Sequence, residues 1–219
     1  STGTLVPPKG YLQRLRDICD KHGILLIFDE VITGWGRTGS PFASQAFGVT
    51  PDIMTMAKAV TNGVVPLGAV ASRENIYDTV LDASPMGAVE FFHGYTYSAI
   101  PVSMAAGLAM QNIIEKENLF QRSKDMSPYF LDGLFSLKDI DVITDIRGYG
   151  MMGGIDIHLD ERPGKAGYAC FKKLFEAGLS LKATGDCLIV APPFVCETEH
   201  IDEIIEKLRT GITNYMKSK

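Results

Sequence analysis

The sequence is short of what would staple, anchor or electrostatically specialise a protein. Its 219 residues hold four cysteines, Cys19, Cys170, Cys187 and Cys196, with no C-x-x-C pair and no histidine at ligand spacing. That pattern argues against a zinc site and fits reduced thiols in a cytoplasmic protein. No run of 18 uninterrupted apolar residues occurs and the first residues carry no signal-peptide pattern, so neither a spanning helix nor a secretory leader is expected. Positive charge is scarce as well: 21 Lys and Arg stand against 26 Asp and Glu, a net charge of −5 with a pI near 5.4. Such a balance gives no general affinity for nucleic acid or an anionic membrane, and small anionic substrates would need local positive charge. The histidines His22, His93, His158 and His200 are scattered, and no G-x-S-x-G elbow is present, so neither a metal centre nor a serine hydrolase is proposed. Internal repeats and low-complexity tracts are absent too.

What is present is an ordinary globular composition, 46% apolar and 21% charged, with enough chain for one large domain or two small ones. Apolar positions Leu12, Leu15, Ile18 and Cys19 recur at helical spacing and Gly23 ends that helix, after which a short apolar run closes on Asp29. A short helix is expected around Phe42 to Phe47, a strand from Asp52 to Ala57 closing on Lys58, another from Leu67 to Ser72, and helices over Arg73 to Leu81 and Ser98 to Glu117. Asp82 to Tyr97 reads as loop. Beyond a helix from Leu119 to Leu137, strands are expected at Val142 to Arg147, Met151 to Ile157, Leu179 to Lys182 and Leu188 to Ala191, with helices over Ala166 to Ala177 and Glu197 to Lys217, the last capped by Thr198. Domains are placed at 1–125 and 126–219.

Two residues organise the rest. The runs ending at Asp29 and Lys58 are short, apolar and bounded by turn-formers, which reads as buried strands of a parallel sheet. Both side chains then arrive at strand ends, the edge where open α/β sheets bind ligands. A lysine in such a place forms an imine with an aldehyde when its amine is not held protonated. By position alone it equally reads as a surface lysine snorkelling from a strand end, and Asp29 as a turn or helix-capping carboxylate.

The segments IFDEVITGWGRTG, PDIMTMAKAVTNG and VPLGAV, between Tyr11 and Val70, resemble the cofactor core of class III, pyridoxal-phosphate-dependent aminotransferases, most closely the omega-amino acid:pyruvate branch. The resemblance covers essentially the whole chain, which corresponds to the C-terminal half of a full-length member. It implies an α/β fold: part of the large, mostly parallel sheet domain of a fold-type I enzyme, followed by a small α+β domain. It also implies the cofactor pyridoxal 5'-phosphate, held as an internal aldimine on Lys58, with Asp29 at the pyridine nitrogen and Val31 against the ring face. Tyr95 and Thr96 fall in the phosphate-binding segment, and the family's threonine there reaches the phosphate of a neighbouring subunit, which implies a homodimer with shared active sites. A plain helix cap is the other reading of Thr96, and Ala99-Ile100-Pro101 follows where the family more usually has Gly-His-Pro. Lys182 stands where many omega-aminotransferases have an arginine that grips the substrate carboxylate. Lysine lacks the planar fork for a two-pronged bond, so Lys182 reads either as a looser carboxylate ligand or as a solvated residue.

One pattern competes. Gly34-Trp35-Gly36-Arg37-Thr38-Gly39 satisfies G-x-G-x-x-G with Asp52 further on, as a dinucleotide fingerprint does. Five residues, Asp29 to Thr33, separate the apolar run from the first glycine, and Asp52 begins a strand rather than ending one. The glycines fit a tight loop beside the cofactor ring instead. The expected activity is transfer of an amino group from an omega-amino acid or amine to a keto acid such as pyruvate. Two alternatives stand: a semialdehyde aminomutase, and a catalytically silent fragment. The fragment reading follows from the opening Ser1-Thr2-Gly3-Thr4, which lacks a methionine and reads as mid-loop, and from the family's main phosphate loop and ring-stacking aromatic, which would precede Ser1.

Overall fold

A helix with no glycine between Tyr11 and His22 meets Gly23, whose φ of 62° is the left-handed conformation that L side chains avoid, and there it stops. The computed structural model describes residues 2–85, 94–158 and 162–217. They divide into two compact units, Lys9–Trp35 with Ser40–Asn118, and Ser1–Pro8 with Gly36–Gly39 and Leu119–Lys219.

The first unit contains α1 (Tyr11–His22), β1 (Ile27–Asp29), α2 (Ala43–Phe47), β2 (Ile53–Met56), β3 (Ala69–Ser72), α3 (Glu74–Asp82) and α4 (Pro101–Lys116). Its sheet has the order β1-β2-β3, with β1 parallel and β3 antiparallel to β2. The α1 helix places Leu12 and Cys19 against Leu26, Phe28 and Val49. Alternation along the strand therefore leaves Leu25 and Ile27 on the opposite face, 53% and 56% exposed. The expectation that this strand is buried on both faces is thus corrected: helix covers one side, and all four residues of β3 are exposed. Asp52, just before β2, is buried and takes bonds from Leu26 N–H (2.7 Å), Arg16 (2.8 Å) and Arg73 (3.2 Å). It ties α1, the approach to β1 and the start of α3 to one carboxylate.

Helix α4 begins at Pro101, three residues later than the sequence suggests. Proline pre-sets the first helical φ and forfeits an N–H that has no intrahelical partner there. Of the loop expected from Asp82 to Tyr97, residues 86–93, including His93, lie outside the described residues.

The second unit contains α5 (Leu119–Phe135), β4 (Ile143–Gly148), β5 (Gly153–Ile157), α6 (Lys165–Glu176), β6 (Lys182–Thr184), β7 (Cys187–Val190) and α7 (Thr198–Lys217). Its strands form an antiparallel sheet in the order β4-β5-β7-β6, the α+β arrangement expected. Phe130, Leu134, Met151, Ile155, Leu174, Leu188, Ile201, Leu208 and Ile212 are wholly buried in one core. Two expectations are corrected here. Lys182 opens β6 instead of closing a strand from Leu179, its register partner being Ile189. Thr198 is the first residue of α7 and not its cap: Glu197 N–H donates to His200 Nδ1 at 3.0 Å, while the Glu197 carbonyl accepts from His200 and Ile201 N–H.

Candidate active site

Strands β1 and β2 run side by side in the same direction, with Asp29 opposite Thr55. Parallel strands end at the same edge of a sheet, so Asp29 leaves at the rim where Lys58 follows β2 two residues past its end. Both residues are exposed there. The amine and acid singled out from the sequence are therefore brought to one edge, on neighbouring strands that lie about 5 Å apart.

Local chemistry separates the two carboxylate oxygens of Asp29. Oδ1 accepts from Val31 N–H at 3.0 Å and from Thr55 Oγ1 at 3.4 Å, whereas Oδ2 accepts no hydrogen bond among the described residues. Val31 is half-buried and follows directly in the chain. Lys58 begins a single 3-10 turn through Val60, closed by Thr61 N–H on the Lys58 carbonyl at 3.2 Å. Its φ is 52°, a left-handed conformation that costs an L residue about 1–2 kcal/mol. Such outliers persist where the surroundings over-determine them, and they cluster at functional sites.

The loop after Asp29 is tightly drawn. Gly34 N–H bonds the Glu30 carbonyl at 2.9 Å, and a Cβ at Gly34 would lie 2.8 Å from that oxygen and 3.0 Å from the Phe42 ring. Glu30 itself is 1% exposed. Its carboxylate accepts from Thr33 Oγ1 (2.5 Å), Ala43 N–H (2.9 Å) and Ser44 N–H (2.7 Å). The sequence reading passed over Glu30. The available signal was its place after a strand-end acid, since side chains of consecutive extended residues point to opposite sides.

Tyr95 is 81% exposed and Thr96 is also exposed. They lie in a turn closed by Ser98, whose Oγ accepts from Tyr95 N–H at 2.9 Å and whose N–H donates to the Tyr95 carbonyl at 2.9 Å. Four residues separate Thr96 from Pro101, so Thr96 is neither the cap nor in the first turn of α4. In the second unit Lys182 is exposed on β6, an edge strand.

The G-x-G-x-x-G stretch has a different use from nucleotide binding. Arg37 Nη1 donates to the carbonyls of Met151 (2.9 Å) and Pro192 (2.7 Å), and its guanidinium carbon stands 4.5 Å from the centre of the Phe194 ring. Burial draws its pKa down to about 10, which still leaves it charged at neutral pH. Asp52, the acid a ribose would need, is committed to Leu26, Arg16 and Arg73.

Residues 1–212 match the model of the class-III aminotransferase family. The chain is 49% identical over 212 residues to an omega-aminotransferase of Caulobacter vibrioides, covering 95% of this chain and 48% of that protein. It is 49% identical over 208 residues to a beta-alanine–pyruvate aminotransferase of Pseudomonas aeruginosa, covering 94% and 46%. Among solved structures, a thermostable (S)-enantioselective omega-transaminase from Thermomicrobium roseum superposes with a TM-score of 0.90 at 34% identity, over 97% of this chain and 48% of that one. The chain thus spans about half the length of the curated relatives it matches. A family match over nearly every residue, joined to a lysine and an aspartate at one edge of a sheet, makes this chain a member of the class-III aminotransferases.

Proposed function

We propose that the chain carries the amine and the acid of a pyridoxal 5'-phosphate-dependent aminotransferase, which moves an amino group from an omega-amino acid or amine to a keto acid such as pyruvate. The observation that carries this reading is the shared edge of β1 and β2, where Asp29 and Lys58 emerge together. The names of the relatives at 49% identity support the substrate class.

Pyridoxal phosphate supplies an aldehyde that takes up an amine and a ring that draws electrons from the carbon next to it. Toward that group, the residues present fit. Asp29 has one oxygen uncommitted, able to hold a proton on a ring nitrogen, while Oδ1 is fixed by Val31 and Thr55. Lys58 would hold the group through its Nζ at the aldehyde carbon, and the same amine, when free, would carry a proton between a donor's carbon and the cofactor's. Val31 would pack on the ring, and Tyr95 and Thr96 would belong to the phosphate grip. Lys182 receives a substrate carboxylate as a point charge. A homodimer with shared sites follows from the same reading, and a cytoplasmic setting accords with four free cysteines.

A second reading, a chain silent by itself, is favoured by Leu25 and Ile27, whose exposure marks a sheet face without cover. Incubating the chain with pyridoxal phosphate, reducing with borohydride and locating the pyridoxyl group by peptide mass decides between them. A label on Lys58, lost in Lys58→Ala, supports cofactor binding. An unlabelled Lys58 in the unsubstituted chain supports the silent one.

A further inference from the structure

A carboxylate buried without a cation is costly unless every lone pair finds a donor. Among the described residues no lysine or arginine pairs with Glu30; a hydroxyl and two backbone N–H groups do the work. Those donors lie three, thirteen and fourteen residues downstream, so a single side chain gathers both ends of the loop that leaves β1 and returns at α2. The Glu30 main chain is fixed as well: its N–H donates to the Thr55 carbonyl at 2.9 Å, extending the β1–β2 pairing past Asp29, and its carbonyl holds Gly34. One residue later, Val31 N–H donates to Asp29 Oδ1. A peptide plane clamped at Glu30 leaves the Val31 N–H one direction in which to point.

We propose that Glu30 is a positioning residue: by gathering Thr33, Ala43 and Ser44 it fixes the turn after β1 and, through Val31 N–H, sets how Asp29 presents its uncommitted oxygen. Thr33, Ala43 and Ser44 take up the Glu30 carboxylate, and neither Asp29 nor Lys58 is among its hydrogen-bond partners. The use of that oxygen at a ring nitrogen rests on the function proposed above, whereas the orientation of Asp29 by Glu30 is a property of the chain without cofactor.

The test is amide hydrogen exchange, resolved by NMR, on the cofactor-free chain and on Glu30→Gln, which keeps the shape but replaces one acceptor oxygen by a donor group. The expected result is exchange at least tenfold faster at Ala43, Ser44 and Val31, with Leu208 in α7 unchanged. Thr33→Val, which removes one donor and keeps the carboxylate, gives a smaller rise at Val31 and serves if Glu30→Gln does not fold. Unchanged exchange at Val31 beside faster exchange at Ala43 and Ser44 overturns the proposal, because Glu30 would then fasten the loop without reaching Asp29. Unchanged exchange at all three overturns it too. Borohydride labelling of Lys58 is run alongside, and Glu30→Gln should need about tenfold more pyridoxal phosphate for half-labelling. If the unsubstituted chain takes no label, the functional reading fails, while the exchange pattern still decides the role of Glu30.

Discussion

Replacing Lys58 by glycine and by alanine should give an inverted stability order. At most positions glycine is the worse of the two by about 0.4–1 kcal/mol, because it enlarges the conformational freedom of the unfolded chain. At φ 52° the comparison changes: alanine keeps the clash of Cβ with the backbone, about 1–2 kcal/mol, and glycine loses it. The difference leaves Lys58→Gly more stable than Lys58→Ala by about 1 kcal/mol. With a urea dependence of about 1–2 kcal/mol per molar for a unit of this size, the unfolding midpoints separate by about 0.5–1 M. The single tryptophan, Trp35, belongs to the same unit as Lys58 and stacks edge-on against Phe42, with ring centroids 5.4 Å apart. Its fluorescence therefore reports unfolding where the substitution is made. Equal midpoints, or an alanine variant that outlasts the glycine one, would show that Lys58 is not held in a strained conformation. The inference from strain to function would then be lost, whatever the labelling experiment finds.

Two further substitutions probe the packing of each unit separately. Asp52→Asn leaves Arg16, Arg73 and Leu26 N–H without their anion and should cost about 3 kcal/mol in urea unfolding. The Leu26 N–H bond first, then Arg16 and Arg73, hold the Asp52 carboxyl below the usual range against the opposing effect of burial. A group lowered in the folded state adds stability above its unfolded pKa of about 3.9, and that stability is lost as pH falls through the folded value. Acid unfolding below pH 4 should accordingly be less pH-dependent in Asp52→Asn than in the parent, and an identical slope contradicts this. In the second unit, Gly211→Ala gains about 1 kcal/mol of helix propensity but drives a methyl into Leu174 Cδ2, an overlap worth about 1–3 kcal/mol. The net expectation is destabilisation, read as a lower thermal midpoint, and a higher midpoint would mean that Leu174 moves freely aside.

The rim of the first sheet was legible because its signals are local. Gly23 can occupy a left-handed cap, and short apolar runs bounded by turn-formers read as strands that close at Asp29 and just before Lys58. What escaped depends on partners distant in sequence. A strand's alternation is the same whether one face or two are covered, so Leu25 and Ile27 read as buried although helix packs only against Leu26 and Phe28. Thr198 has a capping side chain, yet His200 two residues on accepts the N–H that precedes the helix. The start of β6 at Lys182 is set by its pairing with Ile189, which propensity does not register. Glu30 was hidden by its neighbour: the visible acid is the exposed one, and the buried one declares itself only through Ala43 and Ser44.

The membership of Gly36–Gly39 in the second unit bears on how this polypeptide can be divided. Three separate stretches of sequence build that unit, so no single cut releases it whole. A piece starting at Leu119 would lack Arg37 and leave the Met151 and Pro192 carbonyls without their shared donor and the Phe194 ring without its cation. Exchange of one half for another, by an engineer or by recombination, would have to carry Ser1–Pro8 and a four-residue insertion from the middle of the other unit.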